Sequence, residues 1–560
     1  MSLQQATPMW TQQLYTLKGG LDHLGLASVI QDRILPSLSP GINVLTVHPR
    51  YWSFYTFVVD EFWRRDLPRT PQRFNAFMKR RESIFAISCL WCERHYYDIP
   101  QLIGYAKLSR AVSAEPDRYD VDTDYLKNPR GGYAVYASAL AEQGLIVLAS
   151  SSPQLRCDAP TARGRRVAAA FRAAIENTAY YRDHFEADEV PAEAVNEYGN
   201  AACLCRLESG PDRPYLVDAF LHGGNPDAAA SRRETLRFVC DMAEQTQHAS
   251  ISIDDWRRLV FFRANGTDGE LEQRYEPHEG LVSTARRWRL YQLREYYGYA
   301  LNRLLQRTVS WGLERNGDVI PLPAMTVHAQ ADEADFSGLA HALGLTDPGL
   351  DASRPVADLR AWARDAAGVT GGLDDPWDLD AALNEDRIYQ WARSAGHGDD
   401  VVAGMLVLLM LVAARVWPKE LQLAYADDWH LLREGGVRRL SVDRFIRQLR
   451  AMEGDGATIG EVGRWIIDQY VVRQHNRVAL TKLRDGDTFR LRLEAGTVRF
   501  FDRETPAPMN DPRYTALATC ADELGWADSL FDAPHPLTAE GLRLVHEGDL
   551  PVLADAELPL

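Results

Sequence analysis

The 560-residue sequence predicts a mainly α-helical, multidomain protein with small β-hairpins. Three observations carry this. Long segments place apolar residues at three-to-four spacing, the period of one helix face. Strand-like alternation is confined to short runs, the clearest being Thr488–Leu493 and Thr497–Phe501 around Glu494-Ala495-Gly496, which predict a hairpin. A helix–glycine–short apolar segment–Thr-x-x-Gly pattern occurs twice, far apart. Hydrophobic residues are 46% and charged residues 25%, enough apolar material for buried cores. Length alone corresponds to roughly three to four domains.

In chain order, residues 1–125 read as a helical, aromatic N-terminal domain. Within it Tyr51–Trp63 is apolar on nearly every side, as expected of a helix enclosed by a domain, and Pro36, Pro40 and Pro49 punctuate the approach to it. Residues 126–175 hold the first repeated pattern. Residues 176–325 form a helical domain whose clearest helix, Arg286–Glu314, carries Leu290, Leu293, Tyr297, Leu301, Leu304 and Leu305. Asn316-Gly317 ends it, because both residues tolerate positive φ. Residues 326–400 read as an acidic connector: between 330 and 400 stand 15 Asp and Glu against 5 Arg and no Lys. Residues 401–560 form a C-terminal helical domain. It opens on the apolar run Val401–Ala414, too short to span a bilayer, and includes a helix over Gly460–Leu483 and the second repeated pattern.

The first copy runs Tyr133 to Gly144-Leu145-Ile146, then Ala159-Pro160-Thr161 to Gly164. The second runs Tyr514 to Gly525-Trp526-Ala527, then His535-Pro536-Leu537-Thr538 to Gly541. The succession resembles the second half of a winged-helix module, so each copy is expected to be winged-helix-like. Their charges differ. Residues 152–172 hold five Arg and one acid, whereas 511–550 hold eight acids and two Arg. Phosphate neutralisation needs cations, so Arg163, Arg165 and Arg166 are the candidate nucleic-acid contacts of the first copy; the alternative is that both copies are packing modules. A second basic stretch, Arg50–Arg81, interleaves Arg64, Arg65, Arg80 and Arg81 with Trp52, Phe54, Tyr55, Trp63, Phe74 and Phe77. That combination suits single strands; an aromatic core with a solvated arginine face explains it better, because the rings sit at helix-core spacing.

Seven cysteines stand at 89, 92, 157, 203, 205, 240 and 520, an odd, thin set that reads as reduced thiols. Cys89-x-x-Cys92 with His95 offers three soft ligands but lacks a fourth. Inside an apolar helix these cysteines read as buried and metal-free. Cys203-Leu-Cys205 reads as alternate residues of a strand. No metal and no cofactor is therefore expected. His475, Arg477, Lys482 and Asp485 only faintly resemble phospholipase-D-type nucleases, because Arg replaces the required Lys and the Asp offset is wrong. The pairs Asp254-Asp255, Asp374-Asp375 and Asp399-Asp400 read as caps and solvated loops. Walker loops, dinucleotide fingerprints, nucleophile elbows and His-Glu-x-x-His are missing from the sequence, so no catalytic residue is assigned.

Leu21–Leu26, Ile34-Leu-Pro36, Thr46 and Arg50–Tyr55, with Trp288–Tyr297, resemble uncharacterised bacterial proteins of mobile-element and phage-defence gene clusters. The resemblance implies a non-catalytic subunit of a bacterial defence or DNA-maintenance complex. Such a subunit would bind protein partners and, through its basic N-terminal lobe, nucleic acid. A nuclease with a noncontiguous site and a protein-only scaffold bridging partner ATPases are the alternatives. The net charge of −16 argues against uniform coating of nucleic acid. The N-terminus lacks a basic and apolar leader, so the expected setting is cytoplasmic, without membrane contact.

Overall fold

The computed structural model describes residues 22–92, 101–266, 273–316, 319–369, 371–484 and 486–553. Helix accounts for 59% and strand for 5%, in small antiparallel sheets, so the fold is mainly α as expected. The helices that matter below are α1 (Arg50–Arg64), α2 (Pro71–Trp91), α3 (Tyr133–Glu142), α4 (Ala162–Ile175), α5 (Ala192–Ala202), α6 (Arg213–His222), α7 (Pro226–Thr246), α8 (Val282–Asn316), α9 (Asp399–Arg415), α10 (Tyr514–Glu523) and α11 (Ala539–Glu547). The strands that matter below are β1 (Ile146–Val147), β2 (Ala159–Pro160), β3 (Leu322–Pro323), β4 (Leu491–Glu494) and β5 (Thr497–Phe500).

The chain divides into two compact units. The first comprises the described residues of Pro36–Trp256, Gln273–Ala285 and Asp511–Leu560. It is organised around α1, which is buried from Arg50 to Phe62. Aromatic faces account for this. Phe54 stacks on Phe85 of α2 at 4.0 Å, and Trp52 meets Tyr136 of α3 edge-on at 5.0 Å. The charges on so buried a helix all find partners. Arg50 pairs with Asp212 at 3.3 Å, both inaccessible, and Arg172 of α4 holds Asp60 and Glu61 at 2.6 Å each. Removing one member of such a pair leaves a buried charge uncompensated and costs about 3–5 kcal/mol. On α7, buried Arg232 donates to the carbonyls of Phe220, Ala219 and Gly223, which close α6, and to that of Pro40. Arg237 donates to Leu544 and Val545 at the end of α11. Both guanidinium groups satisfy carbonyls that a last helical turn leaves unpaired.

The second unit comprises the described residues of Met1–Leu35, Arg257–Glu272 and Arg286–Asn510. Helix α8 starts before and ends after the predicted 286–314; its glycine stop, Gly317, lies outside the described residues. Helix α9 is buried from Val401 to Arg415. Among the described residues no helix is long and apolar enough to cross a membrane. Strand β5 is the centre of a three-stranded sheet in the order β3–β5–β4, with Glu494 opposite Thr497. Ala495 and Gly496 have φ of 44° and 86°, the mirror-image turn that matches strand twist. The helix read over 460–483 begins with a capping box, Thr458 with Glu461, and passes through a π segment at Ile467–Val472. Residues 326–400, read from sequence as a connector, lie within this unit and contain helices Phe336–Ala342, Val356–Ala366 and Glu385–Ser394. Three acids of this stretch are matched by arginines outside it: Glu385 by Arg415 at 2.9 Å, Asp386 by Arg258 at 2.9 Å and Asp374 by Arg286 at 3.2 Å.

Candidate functional site

The two repeated segments share one construction. After α3, Gly144 takes φ +68° and the Leu145 N–H returns to the Leu140 carbonyl at 2.9 Å. After α10, Gly525 takes φ +75° and the Trp526 N–H returns to Ala521, also at 2.9 Å. This six-to-one closure is the Schellman stop. A minimal antiparallel pairing follows each stop, β1 with β2 in one and Ala527 with Leu537 in the other. Thr161 then caps α4, and Thr538 caps α11. The Thr161 hydroxyl donates to the Gly144 carbonyl at 2.6 Å and accepts from the Gly164 N–H at 3.0 Å. Thr538 does the same with Gly525 and Gly541 at 2.8 and 3.2 Å. The glycine of Thr-x-x-Gly is demanded by proximity: a Cβ on Gly164 or Gly541 would stand 2.0 Å from the carbonyl oxygen of Leu145 or Trp526.

Helix α6 holds both segments. At its start Arg213 donates to the Leu524 carbonyl at 2.9 Å and pairs with Glu540. At its end Arg163 reaches Asp218 at 3.3 Å and the His222 carbonyl at 3.1 Å. The His222 ring lies between Asp218 and Asp549 at 3.2 and 2.7 Å. The hydrogen bond to Asp218 raises its pKa above the ordinary histidine value.

The arginines singled out for nucleic acid fall into two groups. Arg65 pairs with Glu61 at 3.1 Å and Glu186 at 3.4 Å, and Arg80 with Asp188 at 2.7 Å. Arg81 is buried, 2.7 Å from Glu186 and 3.7 Å over the Phe77 ring. Arg64 is exposed, 3.9 Å from Glu61. Trp52, Phe54, Tyr55, Phe74 and Phe77 are all core residues and so present no stacking face. Beside the first module, Arg163 is engaged as above, Arg166 is half-buried and Arg165 is exposed.

The cysteines show what sequence reading missed. Cys89 lies in the last turn of α2 and Cys92 closes that helix. Cys203 closes α5, and Cys205 sits in the 3₁₀ turn Leu204–Arg206, not in a strand. The turn arises because Arg50 holds the Cys203 carbonyl at 2.6 Å and the Arg206 N–H returns to it at 2.9 Å. Helices α2 and α5 approach closely at Gly199, where a Cβ would stand 2.3 Å from the Ser88 carbonyl oxygen. Their ends therefore meet. The sulfurs of Cys92, Cys203 and Cys205 lie within 4.8 Å of one another, with Cys92 and Cys205 at 3.5 Å. The Cys203 thiol faces the Cys89 carbonyl at 4.0 Å, and the Cys89 sulfur is not part of this triangle. Contact with the Cys203 and Cys92 thiols, with burial, pushes the Cys205 thiol up. His95 lies outside the described residues. Cys157, Cys240 and Cys520 are buried outside this cluster.

Two other sequence candidates resolve as architecture. His475 is inaccessible, with Nδ1 donating to the His23 carbonyl at 3.0 Å and Nε2 accepting from the Arg490 N–H at 2.9 Å. Asp255 caps Ser252 at 2.9 Å and Asp399 pairs with Arg307 at 2.8 Å. The second unit also contains a cleft of about 560 Å³, lined by Tyr299, Arg303, Tyr389, Arg393 and His397 among others, none of them a carboxylate. Arg303 is engaged there by the carbonyls of Ala395 and Gly396 at 2.7 and 2.8 Å. Comparison with protein-family models, curated proteins and solved structures found no match.

Proposed function

We propose that the protein is a non-catalytic component of a bacterial defence or DNA-maintenance complex whose paired modules hold protein partners. The observation that supports this reading is α6, which engages both modules through side chains at its two ends and so presents them as a fixed pair. The modules carry no catalytic constellation of their own, and such a scaffold serves protein contact as readily as nucleic-acid contact. Nucleic acid enters the proposal at the first module, through Arg165 and Arg166 beside Arg163. The arginines of α1 and α2 are less suited, because Glu61, Glu186 and Asp188 already engage most of them. The defence setting rests on the resemblance of the N-terminal stretch.

An electrophoretic titration across salt concentrations tests this. Three phosphate contacts give a log–log slope of about −2 to −3. Arg165→Glu with Arg166→Glu should flatten it, with Arg163 left in place to hold Asp218. Arg80→Glu should leave it unchanged. If the intact protein binds no nucleic acid at low salt, the protein-only scaffold becomes the reading, and a nuclease-resistant stoichiometric partner in material from the native host is then the expected result.

A further inference from the structure

We propose that Cys89, Cys92, Cys203 and Cys205 form a tetrathiolate site for a single zinc ion that fastens the end of α2 to the end of α5. The two pairs are remote in sequence, with Cys92 and Cys205 113 positions apart, yet both stand at helix ends that converge in one place. Tetrahedral zinc with bonds of about 2.3 Å separates its sulfurs by about 3.8 Å. The observed 3.5 Å between Cys92 and Cys205, and the 4.8 Å limit on the triangle with Cys203, fit that spacing. Cys89, one turn earlier on α2, stands outside that triangle with its carbonyl 4.0 Å from the Cys203 sulfur, and in the proposed site a turn of its side chain brings in the fourth thiolate. An iron–sulfur cluster would hold the cysteine sulfurs farther apart, because they bind different irons. Soft thiolates select against calcium and magnesium.

The chemistry of the surroundings agrees. Four neutral thiols packed together are poor partners, since each is a weak donor and weak acceptor. A divalent cation converts them into ligands, and the four thiol protons pass to solvent on binding. The product carries two net negative charges. Arg50 stands against the Cys203 carbonyl at 2.6 Å, and Arg206 follows Cys205 in the chain with its Nε buried and lacking a hydrogen-bond partner. Arg206 places positive charge beside the site, whereas Asp212 already balances Arg50. The close contact at Gly199 sets the spacing of α2 and α5, and Arg50 holds the α5 end through the Cys203 carbonyl.

The test is metal analysis of the full-length protein, purified with reductant and without chelator. We expect ~1 zinc per chain, lost on chelation together with a fall in melting temperature. Cys203→Ser and Cys205→Ser should each lower zinc at least tenfold and abolish the chelator effect, whereas Cys240→Ser and Cys520→Ser should keep both. Should the serine variants fail to fold, wild-type protein loaded with cobalt decides. Near-ultraviolet thiolate-to-cobalt absorption with tetrahedral visible bands supports the site. Three results overturn it: wild-type protein without metal even after anaerobic zinc loading, iron with acid-labile sulfide, or a Cys92–Cys205 disulfide in protein alkylated at lysis.

Discussion

His475 has both ring nitrogens committed, and its chemistry under acid follows from that. Protonating Nε2 would break the bond from the Arg490 N–H, and burial opposes the charge; burial together with Arg490 and Lys482 holds the pKa at about 4. His23 beside it is lowered to about 3, first by burial. The unfolded chain takes up these protons at ordinary histidine values, near 6.5. The stability contribution is therefore fully present above about pH 6.5 and is lost as pH falls towards 4, on the order of 3 kcal/mol for His475. Glu295, raised to about 7 by burial, acts in the opposite sense between 4.5 and 7. The difference between wild type and His475→Gln isolates the histidine. Thermal unfolding from pH 4 to 8 should show a shallower acid slope in the variant, and equal slopes would refute the assignment. His222 has the reverse sign. Its pKa is raised, so its contribution is full below 6.5 and disappears as pH climbs through the raised value. Neither role is legible in sequence. A histidine in a helix gives no sign of the carbonyl or the remote N–H that fixes its tautomer.

At the scale of elements, the repeated module was legible and the cysteine cluster was not, for one physical reason. A Schellman glycine and a Thr-x-x-Gly cap act within a few residues, so their pattern is written locally. Cys92 and Cys205 meet only after α2 and α5 have packed, and Glu186 reaches Arg81 in the same way. The module makes a graded prediction. Thr161→Ala and Thr538→Ala should each cost about 1 kcal/mol through loss of the cap. Gly164→Ala and Gly541→Ala should each cost about 2–3 kcal/mol, because the new methyl meets a backbone carbonyl. Gly454→Ala, at the end of a helix with nothing within 4 Å, should be neutral or stabilising by about 0.5–1 kcal/mol. Urea unfolding measures all five. Equal effects at Gly164 and Gly454 would remove the steric account.

For the whole molecule, helical class, the buried apolar helix and the hairpin were open to sequence reading because each is a periodicity or a turn. The division into units was not. Composition marked 326–400 as a boundary, whereas the acids there pair inside one unit and the unit limits follow long-range packing. The first unit is closed by a segment from the far end of the sequence. Arg513 donates to the carbonyls of Ser39 and Ile42, the Tyr514 hydroxyl to Ile251, and Arg237 to the end of α11. This has a consequence for biosynthesis. Residues 36–256 emerge from the ribosome with the face of α7 that meets α11 bare, and it stays bare while residues 257–510 are translated. Vectorial folding of the first unit must pause in a partly exposed state, where aggregation competes. A chain ending at Asn510 should accumulate in the insoluble fraction or bound to chaperones, and co-expressed Asp511–Leu560 should return it to the supernatant. Full solubility of the shortened chain alone would show that the first unit matures without waiting for its last segment.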